Sequence, residues 1–335
     1  MTPRVTVLMP VYNAAAYVGD AAASILTGSY RDLELLAIDD GSTDRSAEIL
    51  HAFSDNRLRV VANPKNLGLV ATLNRGLDLA QGDLIARMDA DDVSVPQRLA
   101  RQVEFMDSNP EIGLSGTWAQ SFGGGRSGVI RVPLRSAEIC VQLFGYNALC
   151  HPTVIFRRQL LLKHGLRFDP DAAHAEDFDL WIRAADCFPL ANQSMVGIRY
   201  RVHPDQVTKR HGTVQEDTVS ILRRRQLRKL LPEATEAETA LHLKLLDLDT
   251  PLSRDDLHAA SAWLECLEAA NGRSGRYDRG AFHVFLVRCW LNAAHRCIPP
   301  GGGVWRAWRR SRYAVSGVAG LRLLAKQAWK ALRPE

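Results

Sequence analysis

Leu84-Ile85-Ala86-Arg87-Met88-Asp89-Ala90-Asp91-Asp92 runs from an apolar stretch straight into three carboxylates within four residues. Carboxylates this close repel one another unless a positive charge lies between them. A divalent cation with oxygen ligands meets that need. The plainer reading is a solvated turn or a helix cap, where Asp is common. The position of the stretch in the fold has to separate the two.

Upstream, Val5 to Asn13 is a short run rich in β-branched residues that ends on Pro10 and Asn13. Pro has no N–H for a central ladder, so a strand is expected to stop near it. Ala14 to Leu26 carries Tyr17, Val18, Ala21, Ala22 and Ile25 at helical spacing. Leu33 to Ile38 reads as a second strand running into Asp39-Asp40-Gly41-Ser42-Thr43-Asp44, with a helix from Asp44 through Phe53. Leu58 to Ala62 reads as a third strand, Asn63 to Gly68 as a loop and Leu69 to Ala80 as a helix. Leu84 to Met88 is then the fourth strand. Strands alternating with helical crossovers predict an α/β fold with a mostly parallel sheet flanked by helices. Such sheets bind ligands beyond the carboxyl ends of their strands. Asn13, Asp39, Asp40 and Asp89 to Asp92 all fall at such ends, so they are expected to converge on one crevice. No GxGxxG follows the first strand, so the dinucleotide fingerprint is missing.

Downstream, the pattern predicts a helix from Pro96 to Asp107 and a strand from Ile112 to Trp118. Gly123-Gly124-Gly125 reads as a hairpin tip or loop, and Cys150 to Arg157 as a turn into another strand. A short helix over Leu160 to His164 stops at Gly165. A second acidic motif, Ala175-Glu176-Asp177-Phe178-Asp179, opens a helix, and Arg199 to His203 reads as a final strand. From about Thr213 the pattern turns helical and charge-clustered. These features divide the chain into an α/β domain over 1–210 and a helical region over 211–335.

The 335 residues are 46% apolar and carry a net charge of +5. That charge is uneven: residues 304–335 hold eight Lys or Arg and one acid, a local +7, which leaves −2 for residues 1–303. A basic tail on a near-neutral body does not point to nucleic-acid binding by the main domain. The six cysteines form no CxxC pair and no zinc spacing, which favours scattered free thiols and a reducing cytoplasm. No apolar run reaches 18 residues, so no spanning helix is expected, and Val5 to Tyr12 reads as a first strand rather than a signal peptide. In the tail, Val318, Leu321, Leu324, Ala325, Trp329 and Leu332 share one helical face beside Arg322, Lys326, Lys330 and Arg333. That pattern suits either a helix lying on an anionic membrane or one packed on the protein with a solvated basic face.

Taken together, PVYN (10–13), DDGSTD (39–44), DADD (89–92), HPTVIFRR (151–158), EDFDLWIR (176–183) and YRVHPDQ (200–206) resemble the inverting family 2 glycosyltransferases of the GT-A fold. The bacterial members that build cell-surface polysaccharide and lipopolysaccharide are the most similar. The resemblance covers about residues 4–210 and none of the C-terminal region. It implies a Rossmann-like GT-A domain that moves a hexosyl or N-acetylhexosaminyl group from a nucleotide-diphosphate sugar, UDP favoured, to a hydroxyl of a saccharide or lipid-linked saccharide. Divalent Mg²⁺ or Mn²⁺ is implied at Asp91 and Asp92, with His203 as a further ligand. Asp89 is expected to meet the ribose or complete the metal shell. Pro10, Tyr12, Asn13, Asp40, Lys65 and His151 are implied in nucleotide-sugar binding, Asp40 through a uracil imino hydrogen and Lys65 or Arg75 through the diphosphate. Asp177 of the Glu176-Asp177 pair is the implied general base.

Each assignment has a plainer counterpart. Asp39 and Asp40 can cap the following helix, Glu176 and Asp177 can serve the dipole of theirs, Trp181 can simply pack, and a lone His is usually structural. Two other functions fit parts of the pattern. A sugar-phosphate nucleotidyltransferase shares the sheet and the acids but wants a Gly-rich basic loop where PVYN stands. A non-catalytic nucleotide-sugar-binding scaffold fits less well, because both acidic motifs are intact.

Overall fold

The computed structural model describes residues 2–124, 127–203, 212–297 and 311–313. The chain forms two compact units, one of residues 1–143 and 147–219, the other of residues 144–146 and 220–335. The sequence pattern predicts a boundary at 210, where the helical character begins. The division instead falls inside a helix, between 219 and 220.

In the first unit β1 (Val5–Val11), β2 (Leu33–Asp39), β3 (Leu58–Ala62) and β4 (Leu84–Arg87) alternate with α1 (Val18–Leu26), α2 (Ser46–His51) and α3 (Leu69–Leu79). The four strands pair in parallel in the order β3-β2-β1-β4. Next come β5 (Val93–Ser94), α4 (Arg98–Ser108), β6 (Leu114–Phe122), β7 (Val129–Ile130) and α5 (Ser136–Gln142). A 3₁₀ turn (His151–Thr153), β8 (Ile155–Arg157), α6 (Arg158–Lys163), α7 (Glu176–Ala185) and β9 (Leu190–Arg201) follow. β8 joins β4 to β6 through antiparallel pairs, β9 lies parallel to β6, and β5 closes the edge.

β1, β2 and β4 are buried almost throughout, which is why they read as mainly apolar runs, whereas β3 at the sheet edge is only partly buried. Val5, Val7, Met9 and Val11 pack with Val18, Ala21 and Ile25 of α1 and with Leu99, Val103 and Met106 of α4. Leu8 points the other way, against Gly76 of α3. Pro10 stays within β1 for a reason visible in the register. The Leu8 carbonyl accepts Met88 N–H, so residues 8 and 10 turn their backbone groups toward β4, whose pairing with β1 ends at Leu8 and Arg87. The N–H that Pro10 lacks would have faced the space beyond β4.

Two polar clamps fix the connections. Arg157 donates to the carbonyls of Met106, Asn109 and Ile112, tying β8 to the end of α4. Asn74 exchanges two hydrogen bonds with the Phe168 backbone, which pins the loop leading to α7 onto α3.

The second unit holds most of α8 (Gly212–Leu230), together with α9 (Glu236–Leu246), α10 (Arg254–Ser274) and α11 (Arg279–Arg296). Thr235, Ser253 and Asp278 cap the last three by accepting from backbone N–H groups of Glu238, Asp256 and Ala281. Its centre is aromatic: Phe144 meets Tyr277, Phe282, Phe285 and His242 edgewise or tilted. Tyr313 is buried there too, its hydroxyl donating to Glu268 at 2.9 Å. The rest of the amphipathic tail lies outside the described residues.

Gly41 and Gly165 both have left-handed backbones, φ 70° and 60°. A Cβ on Gly41 would stand 2.6 Å from the Lys65 carbonyl carbon, whereas one on Gly165 meets nothing within 4 Å. Gly165→Ala should therefore cost about 1 kcal/mol, and Gly41→Ala about 3 kcal/mol once overpacking adds to the backbone strain. Urea unfolding of both variants checks the order, and equal losses would remove the 41–65 backbone contact from the account.

Candidate functional site

The site is assembled from loops at the carboxyl ends of the parallel strands. The loop after β1 and the loop after β2 are locked together. Asn13, at φ 49°, offers its N–H to Ser42 Oγ and its Oδ1 to the Thr43 N–H. Asn is one of few residues that hold this backbone shape cheaply. Ala14 N–H then donates to Ser46 Oγ and Ala15 N–H to Asp44 Oδ2. The two sequence motifs at 10–13 and 39–44 thus form one structure.

Asp39 and Asp40 do not cap α2, whose first residue follows Asp44 and Arg45. Asp39 accepts the Ser42 N–H. Asp40 is buried and holds the 63–68 loop. Its Oδ1 accepts Asn63 Nδ2 at 2.6 Å and Leu67 N–H at 2.9 Å, and its Oδ2 accepts Gly68 N–H at 2.9 Å. A carboxylate has about four acceptor positions, so one on Oδ2 remains for an incoming donor. Arg75 is spent on the same loop, donating to the Ala62 carbonyl and to Asn63 Oδ1. Both bonds use one nitrogen of the guanidinium, Nη1. Lys65 is exposed, and Tyr12 is half exposed.

At the end of β4, Asp89, Asp91 and Asp92 each place a carboxylate oxygen within 4.8 Å of the others. Several groups hold them there. Arg87, almost fully buried, is ion-paired to Asp89. Arg201 donates its backbone N–H to Asp92 Oδ1 at 2.8 Å and its Nε to the Asp91 carbonyl at 2.7 Å. The Arg201 guanidinium lies 4.7 Å from the ring centres of both Tyr17 and Phe122. His203 Nε2 is 2.9 Å from Asp91 Oδ2. Behind the cluster, fully buried Arg98 donates to the Arg87 carbonyl and to Gln102 Oε1.

The donor set fits a hard divalent cation. Asp92 Oδ2 is buried with no hydrogen-bond partner among the described residues. Burial, and then repulsion from Asp89 and Asp91, pushes the Asp92 carboxyl up to about 9. An oxygen in that condition lacks a positive partner, and a cation held also by Asp91 and Asp89 or His203 would supply one.

The second acidic pair lies at the start of α7. Asp177 Oδ1 accepts the Phe178 N–H at 2.7 Å, and its Oδ2 accepts Asn147 Nδ2 at 2.8 Å. Its side chain is 18% exposed, and His151 Nδ1 lies 4.0 Å from Oδ2. Burial raises the Asp177 carboxyl and pushes Glu176 up to about 7, the latter with help from the Asp177 charge. Burial and the Arg87 charge hold His151 well below the usual imidazole range, so its ring is neutral. The Arg87 guanidinium favours ionisation of Asp89, Glu176 and Asp177 alike, which ties the two acidic groups electrostatically.

Asp89, Asp91, Asp92 and His203 are thus brought together, and so are Glu176, Asp177 and His151. Asp40 and Asn13 build the neighbouring loops. Lys65 and Tyr12 form no side-chain hydrogen bond or ion pair with either group among the described residues. Asp179 turns into an ion pair with Arg183, and Trp181 is buried against the edge of the His151 ring. Sequence reading missed Arg87, Asn147 and the clamping role of Arg201. Arg87 left a trace as a charge inside an apolar run, while Asn147 left none.

The sequence model described as glycosyl transferase family 2 matches residues 6–165. An uncharacterized glycosyltransferase of Haemophilus influenzae is 30% identical over 237 residues, covering 67% of this chain and 73% of that protein. The amylovoran biosynthesis glycosyltransferase AmsE of Erwinia amylovora is 33% identical over 183 residues, 53% of this chain and 68% of AmsE. Among solved structures, S. aureus TarS 1–349 in complex with UDP-GlcNAc superposes with a TM-score of 0.59 at 18% identity, covering 87% of this chain and 90% of that one. At that identity the likeness is one of fold, and it places the α/β unit among GT-A glycosyltransferases.

The Asp92 carboxyl titrates above its ordinary value, so it costs the metal-free protein increasing stability as pH rises through that window. Asp92→Asn keeps an acceptor for Arg201 N–H and removes the charge. The variant should melt about 2–4 °C higher than the parent at pH 8 without metal, the shift expected for about 1 kcal/mol. It should also lose the rise in Tm that Mn²⁺ produces. Thermal melts with and without Mn²⁺ decide this, and an undiminished Mn²⁺ response would remove Asp92 from the ligand set.

Proposed function

The chain belongs to glycosyl transferase family 2, and on that premise we propose that it transfers a sugar, with inversion, from a UDP-sugar to an acceptor hydroxyl in cell-surface polysaccharide synthesis. The observation that carries the reading is the presence of two separate acidic groups under the charge of one buried guanidinium. Asp89, Asp91 and Asp92 form a cluster with one buried oxygen that has no hydrogen-bond partner among the described residues. Asp177 is a separate, fixed and partly open carboxylate. Arg87 serves both.

In direct displacement the acceptor oxygen bonds to the anomeric carbon as the bond from that carbon to the diphosphate oxygen breaks. The electron pair leaves with the nucleoside diphosphate, and the acceptor proton passes to a base. Asp177 is the base in this reading. Its two anchoring hydrogen bonds use one position on each oxygen, which leaves positions free to receive the proton. Glu176, pushed up to about 7, keeps its own proton through most of the range below neutrality and so spares Asp177 a second adjacent negative charge. Asp91, Asp92 and His203 would hold Mg²⁺ or Mn²⁺, with Asp89 completing the set or meeting the ribose. A bound divalent cation neutralises charge developing on the departing diphosphate. The remaining Oδ2 position of Asp40 suits the imino hydrogen of uracil, with half-exposed Tyr12 beside the same strand ends. TarS, similar in fold, is described with UDP-GlcNAc bound, and AmsE belongs to amylovoran biosynthesis; both support the donor and acceptor classes.

No helix among the described residues is long and apolar enough to cross a membrane. We propose that the basic tail brings the protein to an anionic membrane surface where a lipid-linked acceptor resides. The tail's seat at Tyr313 sets where a test truncation must begin.

Asp177→Asn should bind UDP-sugar as the parent does while turnover falls by 10² or more, the usual contribution of a general base being about 10²–10⁴. Turnover within threefold of the parent would end its assignment as base. Deleting 314–335, which leaves Tyr313 in place, should preserve Tm and weaken co-sedimentation with phosphatidylserine-containing vesicles. Unchanged co-sedimentation would favour a tail that serves the protein alone.

A further inference from the structure

We propose that Asn147 is a positioning residue for proton transfer, holding the Asp177 carboxylate turned and ionised so that it can receive the acceptor's proton. The inference rests on the reading of Asp177 as the general base.

The direction of the Asn147 amide follows from its own hydrogen bonds. Its Oδ1 accepts the Leu149 N–H at 3.2 Å, which leaves Nδ2 to face Asp177 Oδ2 at 2.8 Å. The other Asp177 oxygen takes the Phe178 N–H, at the start of the helix that carries it. One donor therefore comes from α7 itself and the other from a separate segment before the 3₁₀ turn. Two donors on different oxygens stop rotation of the carboxylate, which a single donor does not.

The charges around Asp177 show why a neutral donor matters. On α7, Glu176 is pushed up to about 7 by burial and then by the Asp177 charge, so it keeps its proton through most of the range below neutrality. From β4, buried Arg87 favours ionisation. From the 3₁₀ turn, His151 is neutral for the reasons given above and lies 4.0 Å away. Beside it burial pushes the Cys150 thiol up to about 12, so it carries no charge. Against these, burial works to protonate Asp177, and Asn147 is the side chain hydrogen-bonded to it among the described residues. A hydrogen bond given to the charged form favours that form. Asn147 also adds no charge that would compete for the proton in transit.

The test is a direct titration of Asp177 in the full chain. Carboxyl ¹³C shifts are recorded on Asp-labelled protein, with Asp177→Asn identifying the resonance. Asn147→Ala should raise the Asp177 midpoint by about one pH unit, the size of a lost hydrogen bond to a carboxylate. Asn147→Asp keeps the shape and the acceptor for Leu149, which protects the fold, and places a carboxylate against Asp177. It should raise the midpoint further. With any UDP-sugar that supports turnover, the acidic limb of kcat should move by the same amounts while the donor KM stays put, and activity should recover at high pH. A midpoint unmoved in both variants would overturn the proposal, as would a moved midpoint with an unmoved limb. The underlying reading fails separately, through an active Asp177→Asn.

Discussion

The structure is governed by a problem of charge. Three carboxylates meet at the end of β4 where water is largely excluded, and two more lie close by at the start of α7. Unit charges about 4 Å apart interact several times more strongly in such a place than in water. The fold answers with cations that are themselves buried, which is costly unless they are well held. Arg98 is locked by Gln102, which in turn donates to the Thr153 carbonyl. Burial brings the Arg98 guanidinium down to about 9, and the Asp92 charge works against that fall. Arg87 pairs with Asp89 and its charge also favours ionisation of Glu176 and Asp177, and the Arg201 guanidinium lies close to the rings of Tyr17 and Phe122. These neighbours leave Asp92 Oδ2 without a hydrogen-bond partner among the described residues. A further positive charge would give that oxygen a partner.

The interlocked loops follow from the same placement. Loops at the carboxyl ends of parallel strands have no ladder partners, so their backbone groups need others. Here side chains meet that need: Asn13 for Thr43, Ser42 for Asn13, Ser46 for Ala14 and Asp40 for Leu67 and Gly68. This explains why the plainer reading and the functional reading of Asp40 do not exclude each other. A carboxylate that already holds a loop is fixed in direction, and a fixed acceptor recognises an incoming N–H more selectively than a mobile one.

How far the fold is legible in sequence depends on the kind of signal each element carries. β1, β2 and β4 are buried almost throughout, β3 is a short β-branched run, and all four are bounded by turn residues, so their limits fall close to the pattern. β9 is harder to read: expected only from Arg199, it begins at Leu190, because Asn192, Gln193 and Ser194 interrupt its apolar pattern. Asn192 is polar and yet buried, its amide donating to the Pro133 and Ala148 carbonyls. β5 has two residues, too few for any period, and α5 is short. At the site, acids in clusters announce themselves. Asn147 does not, because a single Asn in a loop carries no pattern, and its meaning comes from a carboxylate thirty positions away.

Arg87 shows why local sequence rules misjudge such a site. A guanidinium on a central strand, buried on both sides, contradicts every preference of that strand. It is tolerated because Asp89 pairs with it and because Glu176 and Asp177 also profit from its charge. Moving that charge to the surface would relieve β4 but strand the acids, each of which would then hold its proton to higher pH. In the proposed reaction the base must be ionised to act and the metal ligands ionised to bind, so on that proposal both acidic groups depend on one buried cation. On the same proposal the shared charge of Arg87 would couple donor-side to acceptor-side chemistry. There is then also a reason for two acidic groups rather than one: carboxylates that hold a cation are poor proton acceptors, and a base that receives a proton cannot be spent on a metal.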